Sequence, residues 1–316
     1  MEKRYLIHMN DPKDWLRHWE EGTQVVNDFI LPRGPYEKDE MSDTIYCKDA
    51  VVPYHQHEKG YETFYIARGS VDCVLRGKHI VANAGDMLHI PPFTPHGFRF
   101  LEEGTIWREL FQEINMAQGI MNKNTVKGNY PAYMDDPEFM KMYRSSHKQL
   151  QRETPVPEEA DRNQVHELRT PEFAFSRYQT DGVDLKLKVG KWETGGVKEI
   201  WNARVSKGVN VEYDYPHCHW ELYYIVSGAV EFDIMGEVFT AENDCLVHIP
   251  PYHRHKIRVL EDSEIFDYGG EMNLMALLED YRSLEKYQPE KLKDPEFMTA
   301  FQRKYECYVT KFYRES

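Results

Sequence analysis

An internal duplication constrains this chain more than any other feature of its sequence. The segment Asp136–Met140 reads DPEFM and returns 158 residues later at Asp294–Met298. The run HIPP at His89–Pro92 returns 159 residues later at His248–Pro251. Independent segments that recur at almost one offset indicate two copies of a single folding unit, placed in tandem.

Each copy has the pattern of a strand-rich barrel that ends in helix. Short apolar runs separated by turn residues favour a β-sandwich or barrel, and Asp294 followed by Pro295 predicts a helix start. The polar, proline-bearing stretch Glu153–Asn163 is interpreted as the domain linker. We predict a first unit at 1–158, with its barrel core at about 24–112 and helices to about 150, and a second unit at 159–316, with its barrel core at about 183–270 and C-terminal helices at 272–314.

Three histidines and one glutamate of the first copy have the spacing of a metal site. His55 and His57 stand two apart in a predicted strand, so both imidazoles project from one face. Glu62 opens the next apolar run and adds a carboxylate. His96 follows a rigid run of prolines, which aims it at little entropic cost. Imidazoles with one carboxylate suit a divalent transition metal.

Two spacings of this copy resemble the two motifs of the cupin superfamily: His-x-His-x4-Glu-x6-Gly (His55, His57, Glu62, Gly69) and Gly-x5-Pro-x4-His (Gly85, Pro91, His96). Phe93 stands where a glycine is usual and Phe100 where an asparagine is usual, but neither position is a metal ligand in the family. The resemblance implies a mainly β chain of two tandem jelly-roll (double-stranded β-helix, RmlC-like) barrels with short flanking helices. It also implies one divalent metal, Fe, Mn, Ni, Co or Zn, inside the N-terminal barrel, held by the three histidines and the glutamate.

The second copy departs from the motif. Glu221 matches the motif glutamate and His255 matches the last histidine. For the first two histidines the duplication offset favours Tyr215 and His217, whereas pairing His217 with His219 requires a longer deletion. The copy therefore predicts either a second metal site of His217, Glu221 and His255, with His219 or Tyr215, or a barrel that has lost its metal.

Four more residues are candidates for chemistry around the first site. Strand alternation puts Phe64 and Arg68 on the face of the ligand glutamate, as a pocket wall and a clamp for a substrate carboxylate. Phe98 is a second candidate for the wall, and Glu58 is a candidate general base. The structural alternatives are core packing for the two phenylalanines and solvated surface charge for Arg68 and Glu58.

Composition excludes several classes of protein. A net charge of −14 argues against a nucleic-acid-binding face, and no apolar run of about 18 residues is present to span a membrane. The five cysteines are scattered without a CxxC pair, which argues against a disulfide framework or a thiolate zinc site. The start of the chain lacks the apolar core of a secretory signal. We therefore expect a cytoplasmic protein.

The C-terminal apolar stripe permits two interpretations. Its members fall at helical spacing: Phe297, Met298, Phe301, Tyr305, Tyr308, Val309 and Phe312. They can pack on the outer wall of their own barrel, or they can form the seam of a homodimer.

The resemblance is informative about fold and metal but not about the reaction. Two-domain cupins include aromatic-ring dioxygenases, oxalate decarboxylases, quercetinase-like enzymes, lyases, isomerases and aminohydrolases. We expect a metal-dependent enzyme for a small organic substrate that bears a carboxylate, a carbonyl or an aromatic group, either dioxygenase-like or a non-redox lyase, isomerase or hydrolase. The alternatives are a non-catalytic small-molecule-binding cupin that uses the metal as a ligand anchor, and a storage protein of the seed-globulin kind.

Overall fold

The computed structural model describes residues 5–30, 39–113, 116–146, 149–213, 220–269, 273–305 and 309–314. The chain forms two compact units. Trp15–Glu172 is the first barrel, and Met1–Asp14 together with Phe173–Ser316 is the second barrel. None of the helices in the described ranges has the length and hydropathy needed to cross a bilayer.

Strands are the main secondary structure of both units, and a pair of helices interrupts the strands late in each copy. The strands of the first barrel are β2 (Arg17–Glu21), β3 (Gln24–Ile30), β4 (Asp39–Tyr46), β5 (Val51–His57), β6 (Tyr61–Arg68), β7 (Ser70–Leu75), β8 (Lys78–Asn83), β9 (Met87–Ile90), β10 (His96–Phe100), β11 (Thr105–Gln112), β12 (Gln149–Gln151), β13 (Glu158–Glu159) and β14 (Leu168–Arg169). Those of the second barrel are β1 (Leu6–His8), β15 (Arg177–Thr180), β16 (Val183–Val189), β17 (Ile200–Val205), β18 (Val209–Tyr213), β19 (Glu221–Ser227), β20 (Val230–Ile234), β21 (Glu237–Ala241), β22 (Cys245–Ile249), β23 (His255–Val259), β24 (Ser263–Asp267) and β25 (Val309–Arg314). The helices are α1 (Met116–Asn129), α2 (Pro137–Ser146), α3 (Leu274–Tyr287) and α4 (Pro295–Lys304).

Each barrel is built from two sheets that share one core, which is the jelly-roll arrangement predicted from the sequence. In the first barrel the strand orders are β14-β9-β6-β11-β4-β3-β2 and β12-β5-β10-β7-β8-β13. In the second they are β1-β22-β19-β24-β17-β16-β15 and β21-β20-β23-β18-β25. Phe98 of β10 packs on Trp107 of β11 with ring centroids 4.8 Å apart, so side chains of both sheets meet in the interior of the first barrel.

The two units exchange their first strands, so the structure divides the chain elsewhere than after residue 158. The β1 strand, from the start of the first copy, pairs with β22 of the second barrel. The β14 strand, from the start of the second copy, pairs with β9 of the first barrel. Matching hydrogen bonds mark the exchange, since the His89 amide donates to the Glu167 carbonyl and the His248 amide to the Tyr5 carbonyl, both at 2.9 Å.

Two other expectations about the chain differ from the structure. The stretch interpreted as a linker contains β13, which pairs in parallel with β8 of the first barrel. The C-terminal helices end at Lys304, and Val309–Arg314 is a strand that pairs with β18, so helix to 314 was wrong. Phe301 and Tyr305 are buried in a cluster with Trp201, within the second barrel itself.

Candidate metal centre and its cavity

Three strands of the first barrel bring the four predicted ligands together. His55 and His57 lie at the end of β5, Glu62 lies at the start of β6, and His96 opens β10. His55 and His96 are direct cross-strand partners. The turn between β5 and β6 contains Gly60 at φ +85°, a conformation that glycine adopts without steric penalty. The tight turn keeps Glu62 beside the two histidines that precede it.

The side chains of these residues converge on one point. The Nε2 atoms of His55 and His57 are 3.2 Å apart. Glu62 places Oε1 3.1 Å from His57 Nε2 and Oε2 3.2 Å from His96 Nε2. One potential ligand atom from each of the four residues lies within 4.8 Å of the others, and all four residues are buried.

Backbone carbonyls fix the orientation of two of the rings. His55 donates from Nδ1 to the carbonyl of Pro53 at 2.7 Å, and His96 donates from Nδ1 to the carbonyl of Thr94 at 2.8 Å. With Nδ1 carrying the proton, Nε2 of each ring keeps its lone pair for a ligand.

The buried site contains polar atoms that lack a hydrogen-bond partner. Oε2 of Glu62, Nε2 of His96 and Nδ1 of His57 are in this state. Leaving such atoms unpaired in the interior is costly. A divalent cation bound by the imidazole nitrogens and the carboxylate would satisfy Glu62 and His96, so these residues fit a metal of the Fe, Mn, Co, Ni or Zn type.

The pKa shifts of His55 and Glu62 agree with a metal-binding role, whereas that of His57 favours the imidazolium while no cation is bound. Burial and the neighbouring His96 lower the pKa of His55 to about 3, so its ring is neutral at pH 7. Burial opposes ionisation of Glu62, but the charges of His57 and His96 lower its pKa well below the usual range overall. Burial likewise opposes protonation of His57, and Glu62 raises its pKa.

A cavity of about 530 Å³ opens at this centre. Its lining includes ligand side chains and the aromatic residues Phe64, Phe98, Trp107 and Phe111. The two phenylalanines predicted as walls are therefore in the wall. Helices α1 and α2 complete the lining with side chains that include Lys123 and Arg144.

Two other predicted site residues lie elsewhere. Arg68 is exposed at the end of β6 and donates from Nε to the Gly104 carbonyl at 2.8 Å, so it is not part of the cavity lining. Glu58 is also exposed and absent from the lining. Both match the structural alternative, a solvated surface charge.

Sequence reasoning missed a set of polar residues in the lining: Asp28, Glu40, Ser42 and Glu109. All four are buried. The duplication could have identified one of them. Glu109 and Asp267 are both acids and stand 158 residues apart, which is the offset of other repeated segments.

The second barrel brings two of its candidate ligands together. His255 Nε2 lies 2.9 Å from Glu221 Oε2, and both side chains are buried. Nδ1 of His255 donates to the carbonyl two residues earlier at 3.1 Å, as in His96. The remaining candidates, Tyr215, His217 and His219, lie outside the described residues.

The strand register corrects the alignment of the second copy. His255 pairs across the sheet with Tyr213, whereas the equivalent His96 pairs with His55. The position of His55 thus belongs to Tyr213 and not to Tyr215. An extra residue in β5, where the register shifts between His96 and Phe98, accounts for one of the two positions between Tyr213 and Tyr215. The other comes from the one-residue deletion that the predicted alignment placed before Glu221.

Comparisons with known families agree with two barrels. The cupin domain family matches residues 45–106, which span both motifs of the first copy. The AraC-like ligand binding domain family matches residues 212–315 of the second copy. No curated protein matches the chain as a whole.

Solved structures of oxalate decarboxylase resemble the whole arrangement. One, which addresses substrate binding mode and reaction specificity, has 14% identity and a TM-score of 0.54, over 84% of this chain and 77% of that one. Another, of the Bacillus subtilis enzyme with Mn(II) centres, has 15% identity and a TM-score of 0.53 over the same shares. A third, of the Bacillus subtilis enzyme at pH 4.6, has 15% identity and a TM-score of 0.52, over 84% of this chain and 76% of that one. At such identities the likeness concerns the fold. Together with the two family matches, it establishes that the chain is a two-domain cupin protein.

Proposed function

We propose that the first barrel is the active site of a metal-dependent enzyme that acts on a small organic substrate. The observation that carries the proposal is the convergence of three imidazoles and one carboxylate, with unpaired buried atoms, at a cavity of about 530 Å³. A cavity of this size accepts a small ligand. A storage protein has no use for such a ligand set.

The ligand set supports a particular kind of chemistry. His55, His57, Glu62 and His96 would hold the ion, and the ion would supply Lewis acidity toward a carbonyl or carboxylate oxygen, or redox chemistry if it is iron or manganese. The likeness to a decarboxylase with Mn(II) centres makes manganese the first metal to test.

The cavity walls indicate the class of substrate. The aromatic side chains of Phe64, Phe98 and Trp107 exclude water and suit an apolar or aromatic body. Lys123 and Arg144, contributed by the helices, bring positive charge to the lining and suit a carboxylate. We therefore propose a substrate that combines an apolar part with a carbonyl or carboxylate oxygen.

Elemental analysis of protein purified without chelator tests the proposal. We expect one equivalent of a transition metal per chain from the first barrel, and more if the second barrel also binds. We compare His55→Ala, which removes a candidate ligand, with Glu58→Gln, which changes an exposed residue beside the candidate ligand His57. We expect the first to lose the metal and the second to keep it. A wild-type chain without metal, even after addition of Mn(II), Fe(II) or Zn(II), would refute the proposal.

The two reaction classes separate in a substrate screen of the metal-loaded protein. Oxygen uptake with a carboxylate or aromatic substrate supports a dioxygenase. Product formation without oxygen uptake supports a lyase, isomerase or hydrolase. A zinc protein that consumes no oxygen with any substrate excludes the dioxygenase branch.

A second candidate function is non-catalytic binding of a small molecule, with the metal as an anchor. The match of residues 212–315 to an AraC-like ligand binding domain favours it. Saturable binding of a compound that the metal-loaded protein never converts would support this function over the enzyme.

A further inference from the structure

A buried carboxyl group faces the same cavity as the ligand set. Glu109 lies on β11 and is the cross-strand partner of Phe64, two residues beyond the ligand Glu62 on β6. The period-two geometry of strands puts the side chains of Glu62 and Phe64 on one face, and Glu109 joins them there. Only 9% of Glu109 is exposed, and its side chain lines the cavity together with His55 and His96.

The groups that face Glu109 are two hydroxyls and several carboxylates. Ser42 donates from Oγ to Oε2 of Glu109 at 3.4 Å, and Thr44 also hydrogen-bonds to it. The charged groups that face it are carboxylates, namely Glu62 on β6, Glu40 on β4 and Asp28 on β3. Tyr46 on β4 is a further titratable neighbour, and His55, His96, Lys123 and Arg144 line the same cavity. Among the described residues, no cationic side chain hydrogen-bonds to Glu109.

Burial raises the pKa of Glu109 well above its ordinary value, and Glu62, Glu40 and Asp28 add to the shift through repulsion. The hydroxyl of Thr44 opposes the shift without cancelling it. The carboxyl therefore keeps its proton under conditions where an exposed glutamate has lost it, and a protonated carboxyl is a donor.

The second barrel places an acid at the same position. Asp267 is the partner of Tyr223, two residues beyond Glu221, as Glu109 is the partner of Phe64, two residues beyond Glu62. Burial, followed by the charges of Glu221 and Glu199, raises the pKa of Asp267 to about 7. An acid thus recurs at one position in both copies, although Asp267 is only half-buried, and in the first copy the cavity of about 530 Å³ reaches it.

We infer that Glu109 is the proton donor of the reaction in the first cavity, giving its proton to a substrate oxygen that lies between it and the His55, His57, Glu62 and His96 set. This inference rests on the proposed function. The O–H bond of Glu109 breaks, the proton passes to the substrate oxygen, and the electron pair stays on Glu109 as a carboxylate. Water returns the proton after product release.

The surroundings of Glu109 suit both the donation of its proton to the substrate and the return of a proton from water. The aromatic wall at Phe64 and Trp107 keeps bulk water from the acid while the substrate is bound. Ser42 and Asp28 continue from Glu109 across β4 and β3 as successive cross-strand partners, so polar side chains lead away from the acid toward the edge of the sheet. A substrate with a carbonyl or carboxylate oxygen fits, because the acid then donates to an acceptor.

Infrared difference spectroscopy tests whether Glu109 carries a proton. The variant Glu109→Gln keeps the shape and the donor but cannot ionise, and Glu58→Gln is the exposed control. We expect the spectrum of wild type minus Glu109→Gln at neutral pH to contain the C=O band of a protonated carboxylic acid. The spectrum of wild type minus Glu58→Gln should lack that band. A carboxylate band for Glu109 would overturn the inference.

Binding of benzoate to the Mn(II)-loaded protein, followed by calorimetry from about pH 6 to about pH 9, tests the donor role. For wild type and Glu58→Gln we expect the affinity to fall by up to about tenfold for each pH unit above the pKa of Glu109, because the ionised acid repels the anion. For Glu109→Gln the affinity should stay level. Equal profiles in all three proteins, or no binding, would overturn the inference.

Metal content measured on the same samples separates the donor role of Glu109 from the proposed function of the first barrel. Proteins that contain metal but show equal pH profiles refute the donor role alone. A wild-type protein that binds neither metal nor benzoate refutes the proposed function, and the donor role with it. If Glu109→Gln does not fold, a wild-type profile that is flat with pH still refutes the donor role.

Discussion

The two barrels share a framework but differ in what fills their interiors. Ser42 is the cross-strand partner of Glu109 in the first barrel. At the equivalent position of the second barrel, Trp201 is the partner of Asp267. Trp201 is buried and packs in a cluster with Leu187 and helix side chains. A small polar residue such as Ser42 leaves room for a ligand, whereas a large aromatic residue such as Trp201 fills the same space.

The helices of the two copies differ in the same way, with a smaller side chain in the first barrel than in the second. Helices α1 and α3 begin 158 residues apart, as do α2 and α4. Gly119 lines the cavity of the first barrel, and the residue 158 positions later is Leu277, which is buried against Trp201 in the second. Among the described residues, the first barrel thus has a cavity beside its candidate ligands, and the equivalent positions of the second barrel pack in a hydrophobic cluster. A repeated fold can therefore carry different side chains at the positions that surround the ligands.

The largest expected difference between the barrels concerns metal. We expect His96→Ala to reduce metal affinity in the first barrel by about 100-fold or more, since it removes one of four ligands in a buried site. The equivalent His255→Ala should leave the metal of the first barrel in place. Elemental analysis of both variants after dialysis measures the loss. Equal loss from both would mean that the two barrels contribute equally to metal binding, and greater loss from His255→Ala would place the principal site in the second barrel.

A filled interior should make the second barrel dependent on its large side chains. We expect Trp201→Ala to lower the free energy of unfolding by about 3–5 kcal/mol, because it leaves a cavity in a packed cluster. Urea denaturation followed by circular dichroism measures the change. Glu264→Gln, which alters a partly exposed residue of the same barrel, is the control. A change under about 1 kcal/mol would contradict the view that Trp201 fills this barrel.

The site was predictable wherever its residues follow short-range rules. His55, His57, Glu62 and His96 come from strand period and turn spacing, and Phe64 follows from alternation along one strand. Glu109 does not, because Trp107-Arg-Glu-Leu-Phe111 places apolar residues at both parities. Only the pairing of β11 with β6 shows which parity faces the cavity.

Two other features depend on long-range pairing that the chain does not reveal locally. The exchange of β1 and β14 moves the domain boundary, although each strand is only two or three residues long. The extra residue in β5 accounts for one of the two positions by which the alignment of the second copy moves from Tyr215 to Tyr213. Repeat counting assumes equal strand lengths, and a bulge breaks that assumption.

The acid of the second barrel should make stability depend on pH. The pKa of Asp267 is raised to about 7 in the folded chain, against about 3.9 when unfolded. The folded state thus keeps a proton that the unfolded state releases, and stability falls as pH rises from about 4 to about 7. We expect Asp267→Asn to remove this dependence and to stabilise the protein by about 2–4 kcal/mol above pH 7.

Urea denaturation at about pH 5 and about pH 8 checks this expectation. The control is Asp233→Asn, because Asp233 lies on β20, in the other sheet of the same barrel. Equal pH dependence in wild type and Asp267→Asn would show that Asp267 is ionised in the folded chain.

A large side chain at Ser42 should make the first barrel resemble the second, which has Trp201 at the equivalent position. We expect Ser42→Trp to weaken benzoate binding to the Mn(II)-loaded protein by about tenfold or more, since the new side chain occupies ligand space beside Glu109. Metal content should not change, because Ser42 is not a ligand. Ser42→Ala is the matched control and should bind benzoate within about threefold of wild type. Unchanged affinity in Ser42→Trp would show that benzoate binds away from this wall.

The smallest expected effect concerns a turn that both barrels share. Phe93 and Tyr252 have φ of +61° and +63°, and each follows two prolines at equivalent positions of the repeat. A left-handed conformation costs a residue with a Cβ about 1–2 kcal/mol, and glycine avoids that cost but loses about 0.5–1 kcal/mol through its freer unfolded chain.

We therefore expect Phe93→Gly and Tyr252→Gly each to stabilise the protein by at most about 1 kcal/mol, as measured by urea denaturation. Both aromatic side chains are largely exposed, at 63% and 65%, so little packing is lost. The Phe93 amide donates to the carbonyl of the ligand residue His57 at 2.7 Å, and glycine keeps this bond, so metal content should also be unchanged. Destabilisation by Phe93→Gly but not by Tyr252→Gly would mean that the aromatic side chain supports the first site alone, which would sharpen the difference between the barrels.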